Sequence, residues 1–223
     1  IFRKQFGDEA FPPFASMWHF IEIPDESNGK EVHITFSSPY QSMSGRINEI
    51  YYGTHAQLND HLFHQYGLRL YISLFVLVTG LLIMTISLFV DQSDHKGYAY
   101  VGLFTVMVSF WLLAESRMLQ TFIGNGFILG SLAYVMLPLF PIILLVHIRN
   151  NVMKVHKSYT FILQGVYTLT LLVILIFHAF RIADFFETVF ISQIMLIVGT
   201  VTVLIYALIE YKKHDNKEAS RVF

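Results

Sequence analysis

Residues 70–90 read LYISLFVLVTGLLIMTISLFV, without one charged side chain. A helix of that length crosses about 30 Å of hydrocarbon. In lipid every backbone N–H and C=O must pair inside its own segment, so helix is the state such a run adopts. Four more stretches of the same kind follow at about 97–115, 127–147, 159–180 and 188–209. The fold class is therefore mainly α, a polytopic membrane bundle of five spans over residues 67–210, with the lipid bilayer as its partner.

Composition agrees. The chain is 54% hydrophobic and 14% charged, with mean hydropathy +0.53, whereas a soluble domain carries roughly 25% charged residues. The net charge of −1 gives no reason to expect nucleic-acid binding. The absence of cysteine excludes disulfides and thiolate metal sites.

The first 66 residues differ in character. Residues 17–24 (MWHFIEIP) and 31–38 (EVHITFSS) alternate apolar and polar and flank Asn28-Gly29, a hairpin signal. Residues 47–52 (INEIYY) read as a third strand, and 56–64 (AQLNDHLFH) as a short helix leading to the membrane. Three strands cannot bury a sufficient core alone. Residues 1–66 are thus expected to be the C-terminal part of a larger β domain, a partial β-sandwich whose other strands lie upstream. The start at Ile1 without an initiator Met, and the end at Phe223 just after a charged segment, suggest a fragment of a longer protein.

Lys and Arg in the short loops give the orientation. The first loop holds Lys96 and the third Arg149, Lys154 and Lys157. The tail, 211–223, holds Lys212, Lys213, Lys217 and Arg221. The second and fourth loops hold only Arg117 and Arg181. The odd loops and the tail are expected in the cytoplasm and residues 1–66 outside the cell membrane. The tail, rich in helix formers, reads as a connector continuing the fifth helix toward a downstream domain. In the third span, LPLFP at 137–141 places Pro138 and Pro141 where a kink is expected.

The central portions of the spans carry no charge, which argues against a proton-coupled transporter. Their polar residues, Gln164 and Gln193 among them, suit interhelical hydrogen bonds. Ionisable residues gather at the outer ends instead. Glu115 and Arg117 lie in LLAESRMLQ, and His178, Arg181, Asp184 and Glu187 in HAFRIADFFET. The topology puts both groups in one outer layer. They read either as interface ion pairs or as a site that couples the outer domain to helix motion or binds a small polar ligand. No carboxylate pair or nucleophile–base spacing marks a catalytic residue. His61 and His64 share a helix face, with His55 nearby, but no second shell supports a metal site. Gly124-Asn125-Gly126 is a turn signal without the Lys of a phosphate loop. No cofactor is expected.

Three stretches carry a family resemblance: IPDESNGKEVHITF with INEIYYGTHAQL, then YVGLFTVMVSFWLLAESRMLQTFIGN, then RIADFFETVFISQ. Together the chain resembles the N-terminal sensory region of bacterial membrane GGDEF proteins. These are related to the seven-transmembrane receptors with diverse intracellular signalling modules. The resemblance implies a jelly-roll-like extracytoplasmic domain, a bundle in the bacterial inner membrane, and a helix leading to a diguanylate cyclase that makes cyclic-di-GMP. It also implies a homodimer and an extracytoplasmic ligand. Five spans stand here rather than seven, and no GGDEF motif is present, so no cyclase residue is carried over. A signalling relay is the expected function. The sensor region of a histidine kinase, a transporter or channel subunit, and a membrane enzyme using the outer polar residues are the alternatives.

Overall fold

The computed structural model describes residues 18–24, 27, 29–34, 49–90, 92–123 and 126–213. The order is α1 (His55–Ser87), α2 (Gln92–Glu115), α3 (Leu119–Ile123), α4 (Gly126–His147), a π-helical turn (Ile148–Val152), α5 (Lys157–Ala179) and α6 (Phe185–Lys213). All but α3 and the π turn are long and apolar enough to cross a membrane, which makes five such helices among the described residues.

α1 corrects one expectation. The short helix foreseen at 56–64 and the first span are a single helix of 33 residues. The change from polar to apolar composition breaks no backbone bond, and nothing interrupts the ladder. Thr54 starts it with a capping box: its Oγ1 accepts the Gln57 N–H (3.3 Å), and the Gln57 side chain accepts the Thr54 N–H (3.0 Å). At 1.5 Å per residue α1 is about 50 Å long, some 20 Å more than hydrocarbon requires. Its polar first turns therefore extend past the apolar layer.

The β-sandwich is a second correction. Among the described residues there is no strand. Residues 18–24, 30–34 and 49–52 carry the alternating pattern without a paired ladder, and Ile21, Val32, Ile34 and Ile50 are exposed. Alternation fits any extended backbone, and these short pieces have no sheet to bury one face. The turn does form: Gly29 has φ +77°, the Ser27 N–H reaches the Pro24 carbonyl (2.9 Å), and the Lys30 N–H reaches that of Ser27 (3.0 Å). The remaining parts of the expected strands, at 17, 35–38 and 47–48, lie outside the described residues. So does the tail beyond 213.

Small residues draw α1 and α2 together. Ser73, Gly80 and Ser87 recur every seven residues on α1, and Gly102 and Ser109 do so on α2, with Ser116 one residue past its end; all six are buried. A Cβ at Gly102 would meet the Met84 backbone nitrogen at 2.8 Å and the Gly80 carbonyl at 3.1 Å, so the two backbones touch. Such close approach is how helices associate in lipid, where apolar burial alone gives no drive. The serine hydroxyls are satisfied locally: Ser73 donates to the Arg69 carbonyl (2.7 Å), Ser109 to Val106 (2.6 Å) and Ser116 to Leu113 (2.7 Å).

α4 is the centre. It packs on α2, α5 and α6, whereas α1 packs chiefly on α2. Phe140 of α4 meets Phe104 and Trp111 of α2, with ring centroids 5.8 and 6.3 Å apart. The helix runs unbroken through Pro138 and Pro141, and Pro138 is fully buried. Leu145, Ile148, Val152, Met153, Leu163, Tyr167, Val203 and Ala207 form a core where α4, the π turn, α5 and α6 meet.

Candidate functional site

The polar residues collect at two ends. The first holds the α2–α4 and α5–α6 connections. The second, rich in lysine, holds the π turn, the start of α5 and the end of α6.

At the first end, α2 and α5 both stop at an arginine in the left-handed region: Arg117 and Arg181 each have φ +58°. Glycine normally fills that position, since a Cβ there costs about 1 kcal/mol. After α5 the pattern is a Schellman turn, with the Ile182 N–H bonded to the Phe177 carbonyl at 2.9 Å.

Asp184 is buried and opens α6. Its Oδ1 accepts the Glu187 N–H (2.8 Å), while Glu187 Oε2 accepts the Asp184 N–H (3.1 Å). This reciprocal capping box satisfies two donors that the helix itself cannot. Phe185 stacks on His178 (3.7 Å between centroids) and faces Tyr134 of α4 at 6.5 Å. The carboxylates of Glu115 and Asp184 both lie within electrostatic reach of the Tyr134 phenol, and Asp184 also within reach of His178.

Of the six residues expected in one outer layer, His178 stacks on Phe185 beside Asp184, and Phe185 faces Tyr134, which the sequence did not single out. Glu187 is turned back into its cap. Arg117 faces another way: its guanidinium lies 5.9 Å from the ring centroid of Tyr66 in α1. That ring also meets Trp18 in an edge-to-face arrangement (5.7 Å), and the Trp18 backbone N–H donates to the Gln120 side chain (3.2 Å). The N-terminal segment therefore rests on both α1 and the α2–α4 connection. Nearby, His61 packs against the Tyr51 ring at 4.2 Å and His64 Nδ1 lies 3.5 Å from Asp60. Hydrogen bonding to Glu49 raises the pKa of the Tyr51 phenol above its ordinary value.

The second end holds the residue that sequence reasoning missed. Glu210, near the end of α6, is 0% exposed. Its carboxylate accepts three consecutive backbone N–H groups: Lys154 to Oε2 (2.9 Å), and Val155 and His156 to Oε1 (2.9 and 2.7 Å). His156 Nδ1 lies 3.3 Å from Oε1 as well. Tyr206 stacks on Tyr159 at 3.9 Å beside this clamp. The π turn that precedes it is pinned by Arg149, whose Nη1 donates to Gln164 of α5 (2.9 Å). Gln164 thus joins a helix to a connection. The available signal for Glu210 was a lone carboxylate at the very edge of an apolar run.

α6 has one further polar tie between these ends. The Tyr167 hydroxyl of α5 donates to the Met195 carbonyl (2.6 Å), and its ring fills the space that Gly199 leaves open. Among the described residues, no group of three or more His, Asp or Glu side chains is placed to hold a metal ion. No protein-family model matches the chain, and neither a curated protein nor a solved structure does.

Proposed function

We propose that this chain is the relay of a transmembrane signalling receptor, with residues 18–66 outside a bacterial inner membrane and the lysine-rich end in the cytoplasm. The observation that carries the reading is α6. It is one unbroken helix of 29 residues, capped by Asp184 and Glu187 at one end and clamped through Glu210 at the other. Its middle is uncharged. A stiff rod fixed by polar contacts at both ends suits transmission better than conduction, which calls for polar groups at mid-membrane.

The N-terminal segment's seat on Tyr66 and Gln120 supplies an input, because a ligand acts only through its differential affinity for two arrangements. The resemblance to membrane GGDEF proteins supports a downstream diguanylate cyclase as output, working in a homodimer. A histidine kinase would be driven by the same motion.

The test uses the full-length gene in a bacterial host. Glu115→Ala and Arg181→Ala are expected to change cyclic-di-GMP levels, read by mass spectrometry, with membrane insertion intact. Unchanged output in both variants would sink the role given to this end. Solute flux through the native protein in proteoliposomes would replace the relay reading with a transporter.

A further inference from the structure

The geometry points to Glu210 as the releasable catch of a lever: α6 turns about its contact with Tyr167, and the three-amide clamp holds its lysine-rich end in one of two positions. The inference rests on the relay reading and names the moving part.

Three observations carry it. First, the clamp is a poor choice for stability alone. Burying a carboxylate costs several kcal/mol that its partners only repay, and a well-packed apolar side chain at such a place often does as well or better. Here the charge is fully buried and takes up amides that the connection before α5 would otherwise leave without acceptors. The helix end is thus joined to the chain 54–56 residues away by one side chain.

Second, the clamped connection follows a π-helical turn at Ile148–Val152, whose closing bond runs from the Met153 N–H to the Ile148 carbonyl (2.9 Å). Such wide turns are uncommon and are found frequently at functional sites. The Arg149–Gln164 bond ties this turn to α5, so α5 and the turn form one side of the catch and α6 the other.

Third, a fulcrum exists. Tyr167 occupies the room left by Gly199 and bonds the Met195 carbonyl. From Gly199 to Lys213 the arm is about 21 Å long at 1.5 Å per residue, so a tilt of about 10° moves the end by roughly 4 Å. That displacement is comparable with the helix shifts of known switching proteins. The phenol and the carboxylate lie on opposite ends of this arm, so one can hold while the other lets go.

The experiment is a spin-label distance measurement on the full chain in lipid nanodiscs. The sequence has no cysteine, so Ser158→Cys on α5 and Lys212→Cys on α6, both at exposed positions, give a pair without background. The native clamp is expected to give one narrow distribution. Glu210→Ala should add a second population shifted by about 3–5 Å, and Glu210→Gln a smaller share of it, because the amide keeps one acceptor oxygen. Superimposable distributions in all three would overturn the catch. Should Glu210→Ala not assemble, hydrogen exchange on the native chain decides. The Lys154, Val155 and His156 amides are expected to exchange at least tenfold faster than buried amides of α5, and equal protection would overturn a releasable clamp. Output is read separately. A displaced end with unchanged output would refute the relay while leaving the catch, and an unmoved end would refute the catch whatever output does.

Discussion

Gly80 of α1 and Val106 of α2 are in backbone contact: a methyl group added at residue 80 would lie 2.9 Å from the Val106 amide nitrogen. Backbone cannot yield as a side-chain tip can. Gly80→Ala is therefore expected to destabilise the helix pair. Alanine's helix preference of about 1 kcal/mol is outweighed by overpacking that costs roughly 1–3 kcal/mol. Thermal unfolding in detergent, followed by circular dichroism, checks it. Ser109→Ala should lie within about 0.5 kcal/mol of native, because its hydroxyl bonds only its own helix and a one-atom deletion leaves little void.

The start of α6 depends on Asp184. Replacing a capping aspartate by alanine typically costs about 1 kcal/mol, here because the Glu187 N–H loses the Oδ1 that accepts it, while the Glu187 carboxylate keeps the backbone N–H of residue 184. Asp184→Ala should lower the unfolding midpoint, and Asp184→Asn, which keeps an acceptor, should restore most of it. Equal loss in both variants would mean that the negative charge near Tyr134 and His178 matters more than the cap.

A larger loss is expected at the opposite end. Glu210→Ala leaves three amides without their acceptor, and a buried donor left unsatisfied costs roughly 1–3 kcal/mol. Glu210→Gln should cost less, since one oxygen can still accept. Chemical denaturation in mixed micelles separates the two, and a Glu210→Ala loss below that of Asp184→Ala would contradict the clamp.

Tyr66 is the seat of the N-terminal segment. Its replacement by alanine removes both the Trp18 edge contact and the Arg117 cation–π contact, the latter worth about 0.5–1 kcal/mol at exposed sites. In a Trp111→Phe background Trp18 is the sole tryptophan. Its emission should shift to the red and become more open to quenching by iodide in Tyr66→Ala. No shift would mean that Trp18 is held elsewhere.

The parts of this fold that hydropathy could convey were the spans and their separation into two polar ends, because a long uncharged run has only one stable state in lipid. The helix limits moved outward where polar residues continued the same ladder, as before residue 70 in α1 and after Ile209 in α6. Among the described residues the β expectation finds no strand, for a physical reason: alternation states where side chains point, not whether a second strand lies beside them. Asp184 and Glu187 were noticed as charges, yet their spacing of three before an apolar run is also that of a capping box, which takes Glu187 out of the cluster. Glu210 is a lone carboxylate between the fifth apolar run and the charged tail that starts at Tyr211, and nothing in that position marks it as a site. Its partners are backbone amides more than fifty residues earlier, and backbone amides carry no sequence signature.

The order of packing bears on how the protein is made. α1 finds α2, α2 finds α4, and α4 then receives α5 and α6. Each span thus meets a partner already synthesised, and the α1–α2 hairpin waits for nothing downstream. Such short-range pairing suits vectorial assembly during translation, in which an emerging chain leaves few unpaired surfaces to misassociate. The exception is the bond between Glu210 and residues 154–156. It closes only after α6 has been made, so the clamp is among the last of these contacts to form.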